Sequence, residues 1–213
     1  MEALKSPAEH RVVLPNVEWS TYAKVLDGRG EGRTPRLVYD QGSLEVMSPS
    51  SEHERIAYFL SQVVAVYAEE HGIDLLPVGT LTLSREDLGR GVEPDACFYV
   101  REDSVQRVRG KQRINLDASD PAPDLLIEVD ITSPSVERLP IYAALGVGEV
   151  WRYVGENEGR VDILSPLPSG EYDRLCESSV LAGVCAENLS SLVRESSTLP
   201  FGAWMRRARK VAT

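Results

Sequence analysis

Acidic side chains alternate with apolar ones in two segments of the sequence. Glu93-Pro94-Asp95 opens an apolar run that ends at Val100, and the segment 124–132 carries Glu128 and Asp130 among leucine, isoleucine and valine. Side chains two residues apart on a strand share a face and lie roughly 6 to 7 Å apart. Carboxylates at that spacing can surround one hard divalent cation or a closely spaced pair. The two segments therefore predict a shared carboxylate site.

The position of Glu128 inside the apolar run 125–129 is unusual. A carboxylate among apolar side chains is costly unless it is hydrogen-bonded, paired with a cation or bound to a metal. Two other interpretations stay open at this point: Glu128 and Asp130 lie on a solvated face of the sheet, or they pair with arginines. Asp95 has a similar alternative, because Glu-Pro-Asp is also a common way to begin a strand.

A histidine lies at the start of a predicted helix. Ser51 to Glu54 has the Ser-x-x-Glu pattern of a helix start, and His53 lies within it. An imidazole at this position could accept a proton or orient water. The alternative is an exposed residue at the start of a helix.

The elements that would position these residues follow from periodicity and turn signals. Apolar residues recur at helical spacing over 17–26 and over 51–71. The turn Asp40-Gln41-Gly42-Ser43 joins two strand-like runs, 36–39 and 44–47, as a hairpin. Further strands are predicted over 75–83, 94–100, 125–131, 150–154, 160–164 and 172–175, and a further helix over 140–145. This order predicts an α/β (α+β) fold, with a mixed β-sheet flanked by helices.

The bulk composition is that of one globular domain. The chain has 213 residues, of which 42% are hydrophobic and 26% charged, enough for a sizeable core. We expect residues 1–16 to form a flexible arm and residues 17–213 to form a single domain. Because no apolar run is long enough to cross a bilayer and the N-terminus has no hydrophobic signal core, we expect a cytoplasmic protein with no membrane contact. Nothing in the sequence predicts an organic cofactor.

Several motifs in a fixed order resemble a known family. Glu93-Pro94-Asp95, followed by the segment 123–129, is similar to the PD-(D/E)XK nuclease superfamily, in which a proline-aspartate and a later acid hold catalytic magnesium. The segments 42–50, 131–133 and 142–151, together with His53, look like the bacterial restriction endonuclease family called Uma-two. The resemblance spans residues 18 to 175 and implies a restriction-endonuclease-like fold.

The resemblance also implies a metal site and a reaction. The implied metal ligands are Asp95 and Glu128, with His53 beside them and Glu45 and Glu54 as weaker candidates for a further acid. Asp130 could be a further metal ligand or an acid outside the ligand shell. The implied cofactor is Mg²⁺ or Mn²⁺, which would polarise a phosphate and lower the pKa of the attacking water. The expected function is therefore a Mg-dependent endonuclease that hydrolyses phosphodiester bonds of DNA.

The chain departs from the superfamily pattern at its basic residue. The superfamily has a lysine two residues after the second acid, where this sequence has Asp130, and many Uma-two members supply the lysine from the start of the next helix. The matching residue here is Arg138, which we expect to fold back toward Glu128. Arginine can stabilise a pentavalent phosphate, but its very high pKa prevents it from serving as a base. The substitution puts catalytic activity in question.

Two other functions are consistent with these residues. The missing lysine and the formal charge of −10 favour a nuclease-fold protein that no longer cuts and serves as a binding or assembly module, because surfaces that bind nucleic acid are usually basic. A hydrolase of small phosphate esters is the third possibility, and it predicts a pocket too narrow for a duplex. In each case Tyr99 or Tyr142 could pack beside the site, although an ordinary core or surface position is the simpler expectation.

A homodimer is expected by analogy with nucleases that use two sites to cut a duplex. Its surface would be the broad face of the opening hairpin, with Val38, Leu44, Val46 and Met47. The basic stretch 206–210 has two interpretations, contact with phosphates or a solvated face.

Overall fold

Two β-sheets with helices packed against them make up the computed structural model, which describes residues 9–30, 32, 34–132, 136–156 and 158–212. The helices are α1 (Trp19–Gly28), α2 (Ser51–His71), α3 (Glu102–Val108), α4 (Leu139–Leu145), α5 (Ala186–Glu195) and α6 (Phe201–Ala212), with a short 3₁₀ helix at Leu116–Ala118. The strands are β1 (Glu9–Leu14), β2 (Arg36–Asp40), β3 (Ser43–Pro49), β4 (Leu76–Gly79), β5 (Leu83–Arg85), β6 (Arg90–Val92), β7 (Ala96–Tyr99), β8 (Leu125–Asp130), β9 (Glu149–Val154), β10 (Arg160–Pro166) and β11 (Tyr172–Leu175).

The first sheet contains the predicted hairpin. Its strands lie in the order β1-β3-β2-β6-β5, and neighbouring strands are antiparallel. Asp40 pairs with Ser43 at the end of the β2–β3 ladder. The two turn residues between them, Gln41 and Gly42, have φ angles of 44° and 101°, which this tight turn requires and which glycine adopts without steric cost. The hairpin prediction is confirmed.

The second sheet is the mixed sheet. Its strands lie in the order β11-β10-β9-β8-β7-β4, with β8 and β9 parallel and the other neighbours antiparallel. Two parallel strands need a crossover connection, and α4 lies in the connection from β8 to β9. Every residue of the central strand β8 is buried. The predicted fold class, a mixed sheet flanked by helices, is confirmed.

Helix α2 covers one face of the second sheet. Ile56, Leu60 and Val63 are at most 1% exposed and belong to the same core as the apolar residues of β8. The N-cap lies one residue before the predicted cap: it is Ser50, whose Oγ accepts the backbone N–H of His53 at 3.2 Å. The helix itself spans the residues predicted for it.

Several expectations are wrong at the level of elements. Residues 9–14 do not continue a flexible arm, because β1 pairs with β3 over its whole length; residues 1–8 lie outside the described part of the chain. The predicted strand 75–83 is divided into β4 and β5, and β4 ends at Gly79, whose φ is 63°. Helices α3, α5 and α6 and strand β6 lie outside the elements predicted from the sequence.

The expected dimer surface is also wrong, because the chain buries it. Val38, Leu44 and Met47 are at most 2% exposed. Leu44 packs in a cluster beneath α1, and Val38 packs in a second core beside α4. These side chains are therefore not available to a second copy of the chain.

None of the described helices combines the length and the hydropathy needed to span a membrane.

Candidate active site

Asp95 and Glu128 lie on the same side of the second sheet. The backbone N–H of Asp95 donates to the carbonyl of Ile127 at 3.2 Å, which continues the register that pairs Ala96 with Ile127. Asp95 and Glu128 are 8% and 3% exposed, and Asp130, two residues further along β8, is 4% exposed. The solvated-face interpretation is therefore wrong for all three carboxylates.

Arg138 lies among the carboxylates. It immediately precedes α4, and its guanidinium folds back onto β8, as expected. Nη1 donates to Glu128 in a very short contact and to Asp130 at 3.3 Å, while Nη2 donates to Glu45 at 3.0 Å. Burial opposes its charge, but these carboxylates outweigh burial and raise the pKa of Arg138 above the usual arginine value. The side chain is a permanent buried cation.

A second buried arginine, Arg36 of β2, contacts Asp95. Its Nη1 pairs with Asp95 Oδ1 and lies 2.8 Å from His53 Nε2, while its Nη2 donates to the largely exposed Glu54 at 2.7 Å. Burial lowers the pKa of Arg36 from the usual arginine value. The other oxygen of Asp95 accepts the backbone N–H of Val129 at 2.6 Å. Both oxygens of Asp95 are thus engaged within the chain.

His53 is a buried member of the site and not an exposed residue at a helix start. Its side chain has no exposed surface. Nε2 lies 2.7 Å from Asp95 Oδ1, and Nδ1 lies 2.6 Å from an oxygen of Glu9, a residue of β1. The ring therefore connects a carboxylate of the first sheet with the carboxylate of Asp95, which immediately precedes β7.

Tyr142 lies at the site, whereas Tyr99 lies away from it. The hydroxyl of Tyr142 donates to Glu128 Oε2 at 2.5 Å, and burial raises its pKa well above the usual tyrosine value, so that it remains a donor. Tyr99 is away from the site: its hydroxyl donates to the carbonyl of Pro121 at 2.9 Å, and its ring packs against α3. Of the two tyrosines, only Tyr142 contacts the carboxylates.

Asp130 completes the cluster beside a small cavity. Arg152 Nε donates to Asp130 at 2.7 Å. Burial and the charge of Glu128 nevertheless raise the pKa of Asp130 to about 6. This cavity is a narrow cleft, too small to hold a water molecule, and is lined by Glu128, Asp130, Arg138, Leu139, Tyr142 and Arg152. Within the part of the chain that the structure describes, the buried Nε of Arg138 has no hydrogen-bond partner.

Four members of the site were missed by the sequence analysis: Glu9, Arg11, Arg36 and Arg152. Arg36 and Arg152 lie in predicted strands, and a charged residue within a buried strand is the same signal that identified Glu128. Glu9 and Arg11 were missed because β1 was taken for an arm. Arg11 donates to Glu45 at 2.7 Å and to Glu9 at 2.8 Å.

The cluster has carboxylate oxygens, which Mg²⁺ prefers, but their arrangement does not fit a metal ion. Among the described residues, no group of three or more His, Cys, Asp or Glu side chains is placed to hold one. The oxygens of Glu128 meet Arg138 and Tyr142, and those of Asp95 meet Arg36, His53 and a backbone amide. The open interpretation that the acids pair with arginines is the one observed.

The chain is similar to proteins that are described as nucleases. The profile of the Uma2 (Uma-two) family, described as "Putative restriction endonuclease", matches residues 19–182. A solved structure from Anabaena variabilis ATCC 29413, described as "a putative nuclease belonging to DUF820", has a TM-score of 0.53 and 16% sequence identity, over 92% of this chain and 99% of that chain. No curated protein matches. The structural likeness shows a shared fold, and because the family profile covers most of its length, this chain belongs to the Uma2 family.

Proposed function

We propose that the chain is an endonuclease that hydrolyses phosphodiester bonds of DNA at the cluster around Arg138. The family description and the nuclease-fold neighbour support a nuclease function. The observation that carries the proposal is a buried cation beside a cavity: Arg138 is held by Glu45, Glu128 and Asp130, and its Nε–H is left without a partner among the described residues. A buried guanidinium donor of this kind suits a phosphate oxygen.

The residues of the chain suggest how a phosphate would be bound. Glu128 and Glu45 hold the two terminal nitrogens of Arg138 and thereby fix the guanidinium plane. A fixed guanidinium can donate to the non-bridging oxygens and stabilise the charge that develops on a pentavalent phosphate. Tyr142, whose hydroxyl donates to Glu128, would maintain the orientation of that carboxylate.

Magnesium or manganese, DNA as the substrate, a homodimer and a cytoplasmic location remain parts of this proposal. A divalent ion bound to Asp95, Glu128 and Asp130 would have to replace their present arginine partners. The mechanism described above therefore includes no step through a metal. Whether the protein binds such an ion is measured directly in the experiment below.

The test is cleavage of supercoiled plasmid DNA with Mg²⁺, with Mn²⁺ and with a chelator, together with calorimetric titration of each metal. We expect Glu128→Gln and Arg138→Ala to lower the cleavage rate by a factor on the order of 100 or more, the size of the loss when one transition-state donor is removed. Arg174→Ala, a change of an exposed arginine in β11, is the matched control and should cleave as the wild type does. Equal rates in all four proteins would overturn the proposal.

A second function is favoured by a specific observation: the chain's own arginines contact Asp95, Glu128 and Asp130. A site neutralised in this way has little charge left to attract a metal ion, which suits a nuclease-fold protein that binds without cutting. Arg138→Lys separates the two functions. A weak nuclease should cleave faster when the family's lysine is restored, whereas a protein that only binds should stay inert while keeping its affinity for DNA.

A further inference from the structure

Strand β1 lies outside the residues that match the family, which begin at residue 19. It is the edge strand of the first sheet, and among the described strands it pairs with β3 alone. Glu9 and Arg11 are on one face of this strand, and both reach the site, whereas Val12 on the other face is 59% exposed. The strand therefore contributes two charged side chains to the site from a part of the chain that the family profile does not cover.

The carboxylate of Glu9 is held by donors from three different segments. Oε1 lies 2.6 Å from His53 Nδ1. Oε2 accepts from the hydroxyl of Thr132 at 2.5 Å, from its backbone N–H at 3.3 Å, and from Arg11 at 2.8 Å. The side chain has no exposed surface. This set of partners gives the carboxylate one position, directly beside the imidazole.

The contact defines which nitrogen of His53 carries a proton. Although burial raises the pKa of Glu9, hydrogen bonds from His53, Thr132 and Arg11 lower it, with a net result of about 2. Glu9 is therefore ionised at neutral pH and can only accept hydrogen bonds. Nδ1 of His53 must therefore carry a proton and donate it to Glu9, while Nε2 lies between the carboxylate of Asp95 and the guanidinium of Arg36.

We propose that Glu9 is a positioning residue for His53: it holds the imidazole with Nδ1 protonated and directs Nε2 at Asp95 and Arg36. The geometry of the described residues carries this inference, since Nε2 lies 2.7 Å from Asp95 Oδ1 and 2.8 Å from Arg36 Nη1. The effect of Glu9 on catalysis rests on the proposed function, whereas its effect on the imidazole ring of His53 is independent of that function.

The test is nitrogen-15 spectroscopy of the histidine side chains in the full chain at neutral pH. The protein has three histidines, and the signals of His53 are identified by their loss in His53→Gln. In the wild type we expect Nδ1 of His53 to show a directly bonded proton in slow exchange with water. In Glu9→Leu we expect that proton signal to vanish and the two ring nitrogens to move toward the shifts of a tautomer mixture.

The matched control is His10→Gln, a change of the neighbouring exposed side chain on the same strand, which should leave the spectrum of His53 unaltered. If Glu9→Leu does not fold, the same measurement is made on Glu9→Gln, because the amide keeps the size and an acceptor oxygen of the carboxylate but loses its charge. In Glu9→Gln the Nδ1 proton of His53 should exchange with water faster than in the wild type. An unchanged His53 spectrum in a folded Glu9 variant overturns the inference.

Plasmid cleavage by the same variants is read separately. If the proposed function holds, Glu9→Gln should lower kcat about 10-fold with little change in KM, as when a residue that orients an active-site side chain is lost. An inactive wild type would contradict the proposed function and leave the spectroscopic result for His53 standing. A normal rate together with a shifted His53 spectrum would show that Glu9 positions a ring that cleavage does not require, which would overturn the catalytic part of the inference.

Discussion

Asp130 is subject to opposing electrostatic influences. Burial and the charge of Glu128 raise its pKa from 3.8 to about 6, against the effect of Arg138 and Arg152. Between these two pH values the folded protein therefore binds a proton that the unfolded chain has already released. Stability falls with rising pH wherever the folded state binds more protons. This carboxylate should therefore make the fold less stable as the pH rises from about 4 to about 6.

We expect Asp130→Asn to remove that loss of stability. The free energy of unfolding of the variant, minus that of the wild type, should increase by about 3 kcal/mol between pH 3.5 and pH 7, the linkage value of a shift of this size. The measurement is urea unfolding at a series of pH values. Asp173→Asn, a change in the mostly exposed strand β11, should give a flat difference. A flat difference for Asp130→Asn would show that this carboxyl titrates as in the unfolded chain.

Single residues of the site could be predicted where a charge interrupts an apolar run. Glu128, Asp130 and Asp95 have this signal, and the family resemblance added His53 and Arg138. The arginine partners could not be assigned, because which guanidinium reaches which carboxylate depends on how the two sheets meet. Glu9 was out of reach for the same reason: it contacts His53 across 44 positions of the chain.

The parallel pair β8 and β9 depends on a close approach of backbone at its start. A Cβ added to Gly148, the residue before β9, would lie 2.7 Å from the carbonyl oxygen of Asp124, the residue before β8. Real Cβ atoms do not approach a backbone oxygen so closely, so one of the two segments would have to shift. Because Glu128 pairs with Arg152 in this register, such a shift would also move the site.

We expect Gly148→Ala to lower the free energy of unfolding by about 1–3 kcal/mol, the usual cost of forcing extra volume into a packed region. Chemical denaturation of the purified variant measures it. Gly28→Ala in α1 is the matched control, because nothing lies within 4 Å of its added Cβ; alanine there should be neutral or slightly stabilising. A free energy of unfolding equal to that of the wild type in Gly148→Ala would mean that Gly148 lies farther from the carbonyl of Asp124 than in the structure.

Elements with strong local signals were predicted, and elements that depend on distant partners were not. The hairpin has its own turn residues, and α2 has its cap and a long apolar face. Strand β1 is stabilised by β3, and β6 by β2 and β5, so neither has a pattern of its own that identifies it. Helix α6 could have been found: Trp204, Ala208 and Ala212 recur at a spacing of four residues and are buried.

The C-terminal helices lie beyond residue 182, where the family match ends, yet they pack into the same core as the second sheet. Trp204 of α6 is 1% exposed and belongs to the cluster that contains Ile127 of β8. The centroid of its ring lies 4.5 Å from the centroid of the Phe59 ring in α2, and its Nε1 donates to the carbonyl of Leu192 at 2.7 Å. Because α2 also carries His53, the stability of α6 should be coupled to that of the site.

We expect Trp204→Ala to lower the free energy of unfolding by about 3–5 kcal/mol, as large-to-small changes of buried aromatic residues do. Because α6 shares its core with the second sheet, the loss should shift one cooperative transition, seen at the same denaturant concentration by near-ultraviolet and far-ultraviolet circular dichroism. Phe201→Ala, a change of a half-exposed ring in the same helix, should cost far less. Two separate transitions in Trp204→Ala would instead make the helices beyond residue 182 a unit that unfolds alone, and would contradict the expectation that residues 17–213 form a single domain.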